Sequence, residues 1–292
     1  MKKITYNLII VAFLSIFGCN KKENSNQPQK EQMENIQVSD YAVTAKGDSI
    51  RKFTLTNKNG MKMEVINFGG IITSLTAPDK NGKYEDVVLG FTKPEDYFNG
   101  NPYYFGALIG RYGNRIANAK FTLEGKTYDI NKNDGPNSLH GGKDGFHTKF
   151  WNIEPVKDAK FPTLKQTYTS ADGEEGYPGK LTTTVFYTLT DDNALEISYE
   201  AETDKPTVVN LTQHSYFNLS GNFTKTILDH ELQINGDKFT PVNETLIPTG
   251  EQKSVKGTPF DFTASKAIGK DINADDDQLK KGKGYDHNWI LN

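Results

Sequence analysis

The chain holds five histidines, His140, His147, His214, His230 and His287, and their neighbours limit what chemistry they offer. A zinc site needs ligands at close, defined spacing. His230-Glu231 begins like the first turn of a zinc-protease helix, but no histidine follows four residues later and the flanking residues read as strand. No close histidine pair or cysteine cluster stands elsewhere, so no metal site is expected. The sequence also offers no Gly-rich phosphate cradle and no Gly-x-Ser-x-Gly nucleophile elbow.

Three polar segments interrupt apolar strands instead: Gly110-Arg111-Tyr112-Gly113-Asn114-Arg115-Ile116, Asn137-Ser138-Leu139-His140-Gly141-Gly142, and Asn210 to Leu219. In the last, strand alternation from Asn210 puts Thr212, His214, Tyr216 and Asn218 on one face. That face combines hydrogen-bonding groups, one titratable imidazole and an aromatic ring. Sugars suit such a surface, because hydroxyls need fixed partners and the C–H face of the ring stacks on aromatics. Each segment taken alone also has a plainer reading. His140 before two glycines could cap a turn, His214 could be a satisfied core histidine, and Arg115 could belong to a surface ion pair. His147, His230 and His287 read as structural.

The elements that must position these residues read as strands. Leu181, Thr183, Val185, Tyr187 and Leu189 alternate on one face, as do Leu195, Ile197, Tyr199 and Ala201, and Thr190 to Ala194 joins the two runs. This pattern predicts an antiparallel hairpin with one wet face. A second hairpin is predicted from Phe121–Leu123 to Thr127–Ile130 across Glu124-Gly125-Lys126. Further strands are expected at Lys52–Leu55, Lys62–Ile66, Ile71–Leu75, Asp86–Leu89, Val208–Leu211 and Leu232–Ile234, with one short helical turn at Pro94–Phe98. Many short strands separated by Gly, Asn and Asp turns predict an all-β sandwich.

Lys2 and Lys3 precede an apolar run from Leu8 to Phe17 that ends in Gly18-Cys19. The run is short for a permanent span and fits an export signal. Ser15-Ile16-Phe17-Gly18-Cys19 looks like a bacterial lipoprotein processing site, with Cys19, the chain's one cysteine, as the lipidated residue. An ordinary signal peptide is the alternative. The reading is residues 1–19 as signal, 20–37 as a flexible polar tether, and 38–292 as one large domain. A net charge of −3 with interspersed signs argues against nucleic acid as a partner.

At the polar segments the chain resembles the aldose 1-epimerases of the galactose mutarotase type. The resemblance runs in order through Asn67–Ile72, Asp86–Phe91, Gly110–Ile116, Pro136–Gly142, Asp172–Gly179, Asn210–Gly221, Glu244–Gly250 and Gly284-Tyr285-Asp286-His287-Asn288. It implies a large antiparallel β-sandwich with an open sugar cleft. It also implies His214 as the general acid and His140 as the second active-site histidine, near the ring oxygen. Asn114 and Arg115 match a sugar-binding pair, and Asp286 an aspartate that holds sugar hydroxyls. Anomer exchange opens a hemiacetal and recloses it from the other face. It needs one proton given and one taken, but no cofactor.

The family's general base is a glutamate beyond the Gly-Tyr-Asp-His-Asn segment, and no position here matches it before Leu291-Asn292. The sequence therefore reads as a mutarotase truncated at its C-terminus, with an open sheet edge and reduced stability expected. Glu174 or Glu175 replacing the base is the weaker reading, since an acidic Gly-rich loop is usually a solvated turn. The expected function is anomer exchange of free hexoses, glucose or galactose, by an exported lipoprotein facing the periplasm or anchored at the outer membrane. The alternative is a non-catalytic sugar-binding module on the same fold. Phosphorylated sugars fit less well with an export signal.

Overall fold

The computed structural model describes residues 35–292. Five strands form an antiparallel meander: β1 (Ile36–Val43), β2 (Ser49–Thr56), β3 (Lys62–Ile66), β4 (Ile72–Pro78) and β5 (Tyr84–Asp86). Where β3 ends and β4 begins this sheet is buried on both faces, while β1 stays largely exposed. Val65 and Ile72 point into the main core, whereas their chain neighbours Ile66 and Ile71 point into a second cluster with Ile50, Tyr97, Ala107 and Ile109. Paired apolar residues therefore replace simple alternation here, as expected for a strand covered on both sides. The second cover is the segment that begins with the short helix α1 (Glu95–Phe98) and continues into the site.

Short pairs follow: β6 (Leu108–Ile109), β7 (Arg115–Ile116), the hairpin β8 (Lys120–Leu123) with β9 (Lys126–Asp129), and β10 (Ser138–Leu139). A second meander then runs β11 (Asn152–Pro155), β12 (Thr163–Ser170), β13 (Leu181–Leu189) and β14 (Leu195–Thr203). Its inward residues Leu164, Leu181, Val185, Tyr187 and Leu189 meet Phe53, Leu55, Met63 and Val65 of the first sheet in one cluster. The molecule is thus all-β, with antiparallel sheets packed face to face. Further along, β15 (Thr212–Gln213) pairs with β6. A smaller core of Phe239, Val255, Phe260 and Leu279 gathers Trp289 and Tyr285 near the C-terminal residues. The helix beside it, α2 (Asp277–Gly282), is capped by Asp276, whose side chain accepts from the amides of Gln278 and Leu279.

Both expected hairpins form, and Leu189 faces Leu195 across the β13–β14 turn. Other expectations shift. The Val87-Val88 pair is buried but makes only an isolated bridge from Val88 to Phe217, and the strand beside it is Tyr84–Asp86. Val208–Leu211 yields a single bridge at Asn210, and the ladder at 232 covers only Glu231–Leu232. The backbone at Val87–Leu89 is still hydrogen-bonded, to Leu75 on one side and to Tyr216 and Asn218 on the other, but switches partner too often to build a continuous ladder, which periodicity alone does not reveal. The first strand starts at Ile36, inside the predicted tether, because Ile36 is buried and pairs with Leu55. The predicted signal segment and Cys19 lie outside the described residues. Among the described strands β14 pairs on one side only. Beside it an open trough of about 520 Å³ is lined by Leu75, Leu195, Ile197, Tyr199, Phe217 and Leu219. Phe217 and Leu219 there are 50% and 69% exposed.

Candidate active site

One segment, Tyr104 to Ile116, holds both histidines that the polar clusters offer. On one side, β15 pairs with β6, and the ladder continues into His214: its amide donates to Ala107 O at 2.9 Å and its carbonyl accepts from Gly106 N at 3.1 Å. On the other side, β10 pairs with β7, and His140 follows directly, its amide donating to Asn114 O at 3.0 Å. Two short ladders with a shared strand segment thus fix two side chains that lie far apart in sequence. The imidazole centroids are 5.0 Å apart and nearly perpendicular.

The two rings differ in what they can do. The backbone N–H of Asn114 donates to His140 Nδ1 at 2.9 Å. A ring nitrogen that accepts cannot carry a proton, so the neutral ring has its hydrogen on Nε2. Burial, then the facing His214 and Arg115, push the His140 pKa down to about 3. His140 is therefore a fixed neutral donor. The His214 side chain makes no hydrogen bond to another residue among the described ones; its one hydrogen-bond partner is its own backbone. Burial lowers its pKa below 6.5, while its own backbone and the charge of Asp286 raise it. Of the two, His214 is the ring with neighbours that favour its charged form, whereas every influence on His140 opposes it.

Arg115 stands at the edge of this site, with Nε donating to Asp134 Oδ2 at 2.7 Å. The ion pair read as the plain alternative is present, and it leaves the terminal guanidinium nitrogens without a hydrogen-bond partner among the described residues. Asn114 is exposed with φ at 64°, and it is its backbone that contacts His140. Asp286 is exposed, and its charge reaches both His214 and Tyr216. Tyr216, 40% exposed, lies 5.2 Å from the His214 ring. Thr212 is exposed too, but Asn218 is buried and its amide donates to Lys225 O, so the expected four-residue face is broken at its last member. Only Thr212–Gln213 is strand; beyond His214 the chain makes a single bridge, at Phe217 to Val88, before turning at Leu219-Ser220.

Tyr104 is a site residue that sequence reasoning missed. Its ring centroid is 4.7 Å from His140, 4.8 Å from His147 and 5.7 Å from His214. The sequence around it, Asn-Pro-Tyr-Tyr-Phe-Gly, carries no charged residue or histidine that would single it out; in the structure Tyr104 takes a φ of 57°. Behind the ring lies a cavity of about 420 Å³ walled by Phe68, Phe98, Asn101 and His147. His147 thus adjoins the site, with burial holding its pKa down to about 4. His230 and His287 do not adjoin it: His230 Nε2 accepts from Leu219 N, and His287 packs on Phe239 and Phe260.

Glu174 and Glu175, the substitute bases weighed from sequence, serve the scaffold. Glu174 pairs with Lys149 at 2.8 Å and accepts from Tyr168 and Ser170. Glu175 lies against Gly142, behind the turn that follows His140. Nearby, Arg111 is 2% exposed and is satisfied by Ser170 Oγ and the carbonyls of Ser170, Ala171 and Pro178. Of the two arginines in the first polar segment, one fastens the 171–178 loop and the other faces the site.

Comparison with known proteins places this geometry among relatives. A family profile described as aldose 1-epimerase matches residues 51–292. The chain is 44% identical over 243 residues to galactose mutarotase of Bos taurus, covering 83% of this chain and 68% of that one. It is 42% identical over 250 residues to aldose 1-epimerase of Escherichia coli strain K12, covering 86% and 70%. Among solved structures, galactose 1-epimerase from Lactobacillus acidophilus NCFM superposes with a TM-score of 0.79 at 32% identity, covering 88% of this chain and 74% of that one.

Proposed function

We infer, since the chain belongs to the aldose 1-epimerase family, that its histidine pair carries out the interconversion of sugar anomers, with His214 as the acid. The enzyme is an isomerase acting on sugars, and free glucose and galactose are the substrates proposed for it. The observation that carries the assignment is the contrast between adjacent rings: His140 has Nδ1 occupied by the amide of Asn114, whereas no other residue among the described ones hydrogen-bonds the His214 ring. His214 gives a proton to the ring oxygen as the C1–O5 bond breaks, and the anomeric hydroxyl passes its own proton to a solvent water molecule in the open cleft. The aldehyde turns about C1–C2, the bond reforms on the other face, and the protons return. No atom is gained or lost. His140 Nε2–H donates steadily to the oxygen region throughout, while Arg115, Asn114 and Asp286 hold hydroxyls and the Tyr216 face packs on the ring.

This assignment sets the sign of a pH effect. The forward step needs protonated His214, so kcat/KM falls as pH rises through its pKa. Asp286 raises that pKa. Asp286→Asn is therefore expected to move the alkaline limb of kcat/KM to lower pH, in addition to weakening sugar binding. A limb that stays in place while only KM rises would remove His214 as the titrating acid. Rates from exchange spectroscopy on C1-labelled glucose give both quantities.

We also propose that the protein is exported and lipidated on Cys19, facing the periplasm. The support is Lys2-Lys3, the apolar Leu8–Phe17 run and the single cysteine at its end. Cys19→Ser would then move the protein from the membrane fraction to the soluble one; an unchanged distribution would remove the anchor.

A further inference from the structure

The turn after His140 is unusual in its backbone and in what lies beneath it. His140, Gly141 and Gly142 take positive φ in succession, at 53°, 86° and 103°. The two glycines take this conformation freely, but His140 carries a side chain there and needs outside support. The support from above is the Gly110 carbonyl, which leaves no room for a Cβ at Gly141. From below it is the Glu175 carboxylate, which fills the place a Cβ at Gly142 would take. The amides of Asp144 and Lys143 face the same carboxylate. Its Oε2 is buried without a hydrogen-bond partner among the described residues, so the group rests directly on the turn.

Glu175 is itself held. Its carbonyl accepts from Asn131 N at 3.1 Å, and the loop that carries it is fastened by buried Arg111 to Ala171 O and Pro178 O. A chain of contacts therefore runs from the second sheet through Arg111 and Glu175 to the turn, and from the turn to the His140 ring. We propose that Glu175 is a positioning residue: its carboxylate, seated under Gly142 and facing the amides of residues 143 and 144, fixes the turn that aims His140 Nε2–H into the sugar cleft. This rests on the reading of His140 as the fixed donor of the epimerase site. Glu175 itself touches no sugar.

Nitrogen-15 spectra of the histidine rings test this in the full chain, with His140 signals assigned by their loss in His140→Asn. The wild-type protein is expected to show His140 locked with Nδ1 bare and Nε2 protonated. Glu175→Ala should average the two nitrogens and lower kcat about 10-fold with KM changed less than 3-fold, leaving the His214 signals in place. Glu175→Gln, which keeps one acceptor oxygen, should recover much of the lock, and it serves as the second variant if the alanine protein does not fold. Unmoved His140 signals in a folded variant would overturn the proposal, even if its Tm fell. Signals that average while kcat stays at the wild-type value would uphold the positioning and overturn the catalytic role of His140 on which it rests.

Discussion

His214→Ala is expected to lower kcat/KM for anomer exchange about 10²- to 10⁴-fold, equivalent to about 3–5 kcal/mol of lost transition-state stabilisation. The size follows from removing the ring that can both give and recover a proton. The alternative effect, loss of structure, is limited by the position of the side chain. It is partly exposed, makes no side-chain hydrogen bond to another residue among the described ones, and is held in place through its backbone to Ala107 and Gly106. The variant should therefore keep its fold by circular dichroism. Added imidazole should restore part of the rate, because the vacated space lies beside the open cleft and Tyr216. A folded His214→Ala protein with undiminished kcat/KM would contradict the assignment. One whose lost rate is insensitive to imidazole and independent of pH would point to damage in packing instead.

The second large effect is on stability in acid. Burial holds His140 down to about 3 and His147 to about 4, against about 6.5 in an unfolded chain. Above pH 6.5 both rings are neutral in both states and contribute no pH dependence. Below it the unfolded chain takes up protons that the folded one refuses, so stability falls with falling pH until the folded pKa values are reached. At pH 5 this amounts to about 2 kcal/mol for each ring, or roughly 4 kcal/mol together. That is a large part of the 5–15 kcal/mol typical of a domain. Urea titrations at pH 7 and pH 5 measure it. His140→Asn supplies the control, since its Oδ1 can accept from Asn114 N as Nδ1 does but does not titrate. About 2 kcal/mol of the pH dependence should disappear in that variant. A wild-type stability that is flat from pH 7 to 5 would show that these rings are not held neutral by the fold.

The parts of this molecule that were legible in the sequence are those where one physical constraint acts alone. The β13–β14 hairpin is half-buried, so its alternation marks every residue, and the register from Leu181 opposite Thr203 to Leu189 opposite Leu195 follows. The first sheet is covered on both faces only where β3 meets β4, and there alternation gives way to the Val65-Ile66 and Ile71-Ile72 pairs, which mark burial but not direction. His140 and His214 stood out because a polar residue inside an apolar pattern carries a cost that needs a reason. Tyr104 did not stand out, since an aromatic ring is equally at home in a core. Only the pairing of β6 with β15 and of β7 with β10 brings it against the three imidazoles. The Asp172–Gly179 loop misled in the opposite way. Its acidic, Gly-rich composition reads as solvated, yet Glu174 and Glu175 are partly buried and grip the chain around them. Composition reports the cost of burying a carboxylate but not the partners that offset it.

The central claim is that this chain exchanges sugar anomers through His214 beside a neutral His140. Polarimetry of freshly dissolved α-galactose and α-glucose, with the folded chain at neutral pH, tests it most directly. The account predicts that optical rotation relaxes to its equilibrium value faster than in buffer, in proportion to enzyme concentration. A folded chain that binds either sugar yet leaves the relaxation at the buffer rate would contradict it.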